Sequence, residues 1–163
     1  MTRIAVAEAG SPKVSAFLDM IAFSEIGPQL LKVSDDGYDV LVGSTYMHPH
    51  LFTSYSKHPD VLVTLNSLGI KSTAAGRYQM LHRTAVGLKL PNFTPESQDR
   101  GCIELIRQIK ALPQIIGGNI RAAISMCAPI WASLPGAGYG QHENKMSNLM
   151  DAYFEALAKY LSG

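Results

Sequence analysis

Glu25 is the residue whose position invites chemistry. After Ser11-Pro12, Val14, Phe17, Leu18 and Ile21 recur at i, i+3, i+4 and i+7, the spacing of an amphipathic helix. Glu25 falls one turn further along the same stripe. A carboxyl that continues an apolar face at the end of a helix is partly desolvated, which favours the neutral acid. The partial negative charge at a helix C-terminus pushes the same way. A carboxylic acid still protonated near neutral pH is what general-acid cleavage of a glycosidic bond requires. The competing reading turns Glu25 outward into water in the last helical turn, and spacing alone leaves both open.

Other reactive groups are less constrained. His48-Pro49-His50, with His58 nearby, could supply zinc ligands for an amide-cleaving enzyme. The segment has no neighbouring Cys and no helical H-x-x-x-H or H-E-x-x-H spacing, so these read as surface histidines. Cys102 and Cys127 both fall on apolar helical faces, where thiols pack rather than react. Gly76-Arg77-Tyr78-Gln79 places a flexible turn before an amide that can hydrogen-bond a sugar or its acetamido group; it can equally start a helix with exposed polar residues. Gly136-Ala137-Gly138-Tyr139-Gly140 allows close backbone approach to a ligand and presents one aromatic ring, although a loop of this composition needs no function. There is no phosphate-cradling Gly-Lys-Ser/Thr and no dinucleotide fingerprint. No metal and no cofactor is expected.

These groups need a scaffold. With 163 residues, 47% hydrophobic and 17% charged, the chain fits one domain with one core, two small lobes being the alternative. Residues 1–10 read as a loose strand or tail. Ser11 caps the first helix, and Ile26-Gly27-Pro28 stops it. Tyr38-Asp39-Val40-Leu41-Val42-Gly43 reads as a strand entered from the Asp35-Asp36-Gly37 turn, and residues 44–60 as an irregular loop. Val61 to Leu65 fits a strand or the first turn of a helix. Thr73 to Gly76 is a turn, and Tyr78 to Val86 is read as helical.

Beyond residue 94 the pattern is helical. Thr94-Pro95-Glu96 opens a helix with Cys102, Leu105, Ile106 and Ile109 on one face, closed by Pro113. Asn119 caps the next, which buries Ile120, Ala123, Ile124 and Cys127 and ends at Pro129. Leu134 to Gly140 is a loop, and Met146, Leu149, Met150, Tyr153 and Leu157 line a final helix. The class is α+β, mainly helical with a small β region.

Composition removes several functions. Fourteen Lys+Arg against thirteen Asp+Glu leave a net charge of +1, too little for a nucleic-acid binder or a polybasic membrane-surface protein. Two cysteines do not make a secreted disulfide scaffold. No apolar run approaches the ~20 residues that cross a bilayer. Val14 to Phe23 is broken by Asp19 and reads as a folded helix rather than a signal peptide, so synthesis in the cytosol is expected.

Long stretches carry a resemblance. Phe17-Leu18-Asp19-Met20 with Ser24-Glu25, Gly37-Tyr38-Asp39-Val40, Phe52-Thr53, Tyr55-Ser56, His58-Pro59, Leu62-Val63-Thr64-Leu65-Asn66 and Lys71-Ser72-Thr73 form the first group. Ala75-Gly76-Arg77-Tyr78-Gln79, Ser97-Gln98-Asp99, Ala111-Leu112-Pro113 and Ile130 to Gly140 follow in order. From about residue 14 to the final helix, the chain resembles the bacteriophage lambda endolysin family.

The resemblance implies a lysozyme-like fold, taken as a single catalytic domain over 1–163 with its β region beside a cleft. It also implies a peptidoglycan lytic transglycosylase. Such enzymes cut the β-1,4 bond between N-acetylmuramic acid and N-acetylglucosamine without water and leave a 1,6-anhydromuramic end. By position, Glu25 matches the catalytic acid and Gln79, with Tyr78 beside it, the substrate-binding element near the scissile bond. Tyr139 matches the aromatic of the Gly-rich loop, and Asp39 an acidic residue near the cleft. The implied partner is the peptidoglycan glycan strand, with no nucleic acid and no membrane insertion. A monomer is expected, made in the host cytoplasm and released by a holin to act on the wall in the periplasm. Two departures stand out: Ile26-Gly27 follows Glu25 where the family usually has Gly-Thr, and Ser44 to Leu51 is longer than in lambda.

The chemistry can be argued without the family. One carboxyl can protonate the leaving oxygen and then, as carboxylate, take the proton from the muramoyl C6 hydroxyl. A hydrolytic muramidase would instead need a second carboxylate about 5–10 Å away, with Asp35, Asp36, Asp39 and Asp60 as candidates. A non-catalytic wall-binding module is the remaining alternative.

Overall fold

The computed structural model describes residues 2–65, 69–140 and 142–163. The chain forms two compact units. One comprises Ile4–Glu25 and Cys102–Gly163; the other holds Ile26–Gly101 with the first residues of the chain.

The first unit is helical. Where a loose strand or tail is expected, Val6–Ala9 forms a helical turn, α1. Gly10, at φ 96°, closes it by returning its N–H to the Val6 carbonyl. Helix α2 runs over Pro12–Glu25, as the sequence predicts. The Ser11 hydroxyl accepts the Lys13 N–H at 3.1 Å and so satisfies one of the amides that a helix start leaves open.

Helix α2 is more deeply buried than an amphipathic stripe requires. Val14, Phe17, Leu18 and Ile21 are fully buried, but Ser15, Ala16, Met20, Ala22 and Ser24 are buried too. The small side chains of Ser15, Ala16, Ala22 and Ser24 let neighbours close over faces that periodicity assigns to water. α2 packs chiefly against α8 (Met146–Ser162), which contributes buried Leu149 and Tyr153. Asp19 is accommodated because the Tyr160 hydroxyl donates to its carboxylate at 2.7 Å.

Three helices complete this unit: the C-terminal part of α5 (Pro95–Gln108), α6 (Leu112–Ile116) and α7 (Ile120–Cys127). Pro113 does not close a helix as expected. It sits in the first turn of α6, where a missing N–H costs nothing. α7 buries the four predicted residues, but Asn119 makes no capping bond and turns its amide to Gln114 at 3.0 Å. Cys102 and Cys127 are buried and form no disulfide, and burial pushes Cys127 up to about 12.

The second unit carries the β structure. Gly27, at φ 85°, ends α2, and Pro28 then begins α3 (Pro28–Val33), a helix the sequence reading missed. Residues 38–43 do not form the full expected strand; Val40 pairs with Leu51 and Leu41 with Ala75 as isolated bridges. Of residues 61–65 only the last three are strand: β1 (Val63–Leu65) pairs antiparallel with β2 (Ile70–Ser72), Thr64 opposite Lys71. Asn66 of the quoted motif lies outside the described residues. The helix expected over Tyr78 to Val86 starts only at His82, as α4 (His82–Gly87), because residues 76–79 form a turn.

Phe17→Ala removes a side chain with no solvent exposure from the centre of α2. It should cost about 3–5 kcal/mol in urea denaturation. A loss below about 1 kcal/mol would show that α2 is not the core helix.

Candidate functional site

In the helical unit, Glu25 is the last residue of α2 and is only partly exposed. Desolvation raises its carboxyl from 4.5 to about 7, and a hydrogen bond from Ser133 offsets part of that rise. The outward, fully solvated alternative is therefore not what the chain adopts.

A polar chain backs this carboxyl. Asn144 donates its side-chain amide to the Ser24 carbonyl at 3.1 Å and the Ser24 hydroxyl at 3.0 Å. The Ser24 and Ser133 hydroxyls lie 2.7 Å apart. Since Asn144 donates to Ser24, the Ser24 proton is directed to Ser133 and the Ser133 proton to Glu25. The Asn144 backbone N–H also donates to the Ser133 carbonyl at 2.8 Å. Ser133 and Asn144 escaped the sequence reading; Ser133 lies inside a quoted motif, whereas nothing marks Asn144.

The Gly-rich loop is built rather than slack. The Glu143 carboxylate accepts the N–H groups of Gly136 and Gly138, each at 3.0 Å, and these bonds hold it below the usual carboxylate range. Gly136, Gly138 and Gly140 all have φ near 80°, which accounts for the glycines. Tyr139 donates its hydroxyl to the Pro129 carbonyl at 2.7 Å, and its ring stays 53% exposed.

In the second unit, Gln79 lies in the Gly76–Gln79 turn at φ 48°, closed by paired backbone bonds between Ala75 and Met80. Its side-chain N–H groups donate to the carbonyls of Gly76 (2.9 Å) and Val40 (3.3 Å), which leaves the amide oxygen as its acceptor. Gln98, buried beneath, accepts the Arg77 N–H at 2.9 Å and donates to the Tyr38 and Phe93 carbonyls. A Cβ at Gly76 would lie 2.3 Å from the Gln98 side-chain oxygen, so no other residue fits there.

Tyr78 is 2% exposed and lies within this support. Its hydroxyl donates to the buried Asp99 carboxylate at 2.6 Å, as Tyr38 does at 2.8 Å, and accepts from Arg77 at 3.2 Å. That burial places the Tyr78 hydroxyl under the turn rather than beside Gln79 on its surface. Gln98 and Asp99 stand in sequence only as part of the Ser97-Gln98-Asp99 motif, and their supporting role is visible only in the fold.

Asp39 is half-buried next to Val40, and its carboxylate accepts the Asp35 N–H at 2.9 Å. The other candidate carboxylates are also engaged. Asp35 accepts the Tyr55 hydroxyl, Asp36 faces Arg77 at 3.5 Å, and Asp60 faces His82 at 3.5 Å. His48 and His50 are exposed, but His58 is buried, contrary to the surface reading. One of its ring nitrogens bonds the Met80 carbonyl at 2.8 Å and the other accepts the Asp60 N–H at 3.0 Å. Neither is free for a metal.

Comparison with solved structures gives the class of fold. Bacteriophage lambda lysozyme complexed with a chitohexasaccharide matches with a TM-score of 0.79 and 46% identity, covering 96% of this chain and 97% of that one. A second lambda lysozyme structure gives 0.76 and 45%, with the same coverage. This is the lysozyme fold of the lambda type. In sequence, the endolysin of Escherichia phage lambda is 50% identical over 150 residues, spanning 86% of this chain and 89% of that protein. The endolysin of Escherichia phage P2 is 45% identical over 148 residues, spanning 86% and 90%. The Endolysin family pattern matches residues 15–160, and the chain belongs to that family.

Glu143→Ala frees the amides of Gly136 and Gly138. Their hydrogen exchange should accelerate about ten-fold, with little change in global stability. Unchanged exchange at both glycines would mean that Glu143 does not organise the loop.

Proposed function

We propose that this endolysin is a lytic transglycosylase that cleaves the N-acetylmuramoyl-β-1,4-N-acetylglucosamine bond of peptidoglycan. The observation that carries the reading is the desolvated carboxyl of Glu25, held at about 7. At neutral pH a large fraction is a neutral acid, able to donate its proton to the glycosidic oxygen as the C1–O bond breaks. The acetamido carbonyl of the muramoyl sugar shields the positive charge at C1. Glu25, now a carboxylate, takes the proton of the C6 hydroxyl, and O6 closes onto C1 to give the 1,6-anhydro ring. The proton returns to Glu25, and no water is consumed.

Gln79 offers its amide oxygen to a sugar donor, Tyr139 its exposed ring, and Asp39 its carboxylate. Tyr78 supports Gln79 from below. A hydrolase would need a second carboxylate poised for water or for C1. Asp35, Asp36 and Asp60 each face a side-chain partner within the protein, and Asp39 is assigned to sugar binding, which favours the single-carboxyl route. No helix among the described residues is long and apolar enough to cross a membrane. Synthesis in the host cytoplasm and release to the wall by a holin complete the proposal.

Glu25→Gln keeps shape and loses the proton. Wall lysis should fall by a factor of about 10²–10⁴. The same variant should resist denaturation better than the parent at pH 8 and equally at pH 4, since it never buries a charge. Mass analysis of the muropeptides released by the parent should find anhydro ends. Reducible ends would make the enzyme a hydrolase, and substantial lysis by the variant would take the acid role from Glu25.

A further inference from the structure

Residues 44–51, read from sequence as part of an irregular loop, belong instead to an ordered segment that begins at Val40. Residues 40–51 form a pinned hairpin. Val40 pairs with Leu51, and the Leu41 N–H donates to the His50 carbonyl at 2.9 Å. The Ser44 hydroxyl sits between the two limbs, within 2.9 Å of the Leu41 and His50 carbonyls, and accepts the His50 N–H at 3.0 Å. Thr45 and His48 exchange backbone bonds at 3.3 and 3.1 Å, which closes a two-residue tip of Tyr46 and Met47.

That tip is expensive to hold in water. Tyr46 is 48% exposed and Met47 68%, so the bonds that order the hairpin display apolar surface instead of burying it. Residues 43–52 contain no Asp, Glu, Lys or Arg. Such a surface has nothing to attract phosphate or anionic lipid. Its tyrosine ring, hydroxyls and imidazoles are suited to an uncharged, hydroxyl-rich ligand.

The base of the hairpin fixes where such a ligand would come from. The Val40 carbonyl accepts the Gln79 side-chain N–H, and the Asp39 carbonyl accepts the Phe52 N–H at 2.9 Å. Tyr46 lies six positions beyond Val40, a reach of at most about 20 Å. A strand of sugars bound at Asp39 and Gln79 can therefore continue along the hairpin.

We propose that the 40–51 hairpin is a glycan-binding finger, in which Tyr46 stacks on a sugar ring beyond those held at Asp39 and Gln79. The finger makes the enzyme favour long glycan strands over short ones. This rests on the glycan-cleaving function proposed above.

Binding is measured by calorimetry in the Glu25→Gln background, which prevents turnover. The probes are peptide-free peptidoglycan glycan strands of four sugars and of eight or more. Long strands should bind about three- to ten-fold more tightly than short ones, the range of one aromatic contact. Adding Tyr46→Ala should collapse that ratio toward one, and Tyr46→Phe should keep it. A ratio unchanged by Tyr46→Ala overturns the finger while leaving the proposed function standing. Failure of the Tyr46-intact protein to bind either strand overturns the function, and the finger with it.

Discussion

The desolvation of one carboxyl is the constraint on which the rest of this structure turns. Glu25 ends a helix buried on nearly every side, so its carboxyl meets packed protein where most helix ends meet water. Its pKa of about 7, against 4.5 when free, links folding to protons. The native state binds that proton more tightly than the unfolded chain. The resulting stability is fully present below about pH 4.5 and is lost as pH rises through 7. Above that, the buried carboxylate costs about 3 kcal/mol, a sizeable part of the margin of a small protein. Such a cost is borne where function uses the shifted group.

The two units support their candidate side chains by the same means, buried polar networks. Behind Glu25, Asn144 and Ser24 orient Ser133, whose proton tempers the shift without reversing it. Under Gln79, Gln98 bonds three separate backbone groups, and Asp99 collects two tyrosine hydroxyls. Gln79 itself holds a left-handed backbone conformation, a strain that the surrounding bonds over-determine. Rigid placement of an acid and of an acceptor is what differential binding of a transition state needs.

How far these features were legible from residue order depends on whether their causes are local. The span of α2 and the place of Glu25 follow from cap, spacing and stop signals within one helix. The depth of its burial does not, because Ser15, Ala16, Ala22 and Ser24 look like a polar or neutral face until neighbours close on them. Pro28 and Pro113 mark helix starts where they were read as stops, since proline suits a first turn as well as a break. Tyr78 and Gln79 fell within an expected helix because a positive φ at a glutamine leaves no trace in residue type. Ser24 meets Ser133 across 109 positions and Asn144 across 120, and no local pattern encodes such a meeting. The family resemblance reached the motif around Ser133, but the network was visible only in three dimensions.

The most direct test is a titration of the Glu25 carboxyl in the free protein, followed by carbon-13 NMR with site-selective labelling and with Glu25→Gln to assign the signal. A midpoint near 7 is the value this account requires. A midpoint at 4 to 5, that of an ordinary solvated glutamate, would contradict it and leave the proton transfers without a donor at neutral pH.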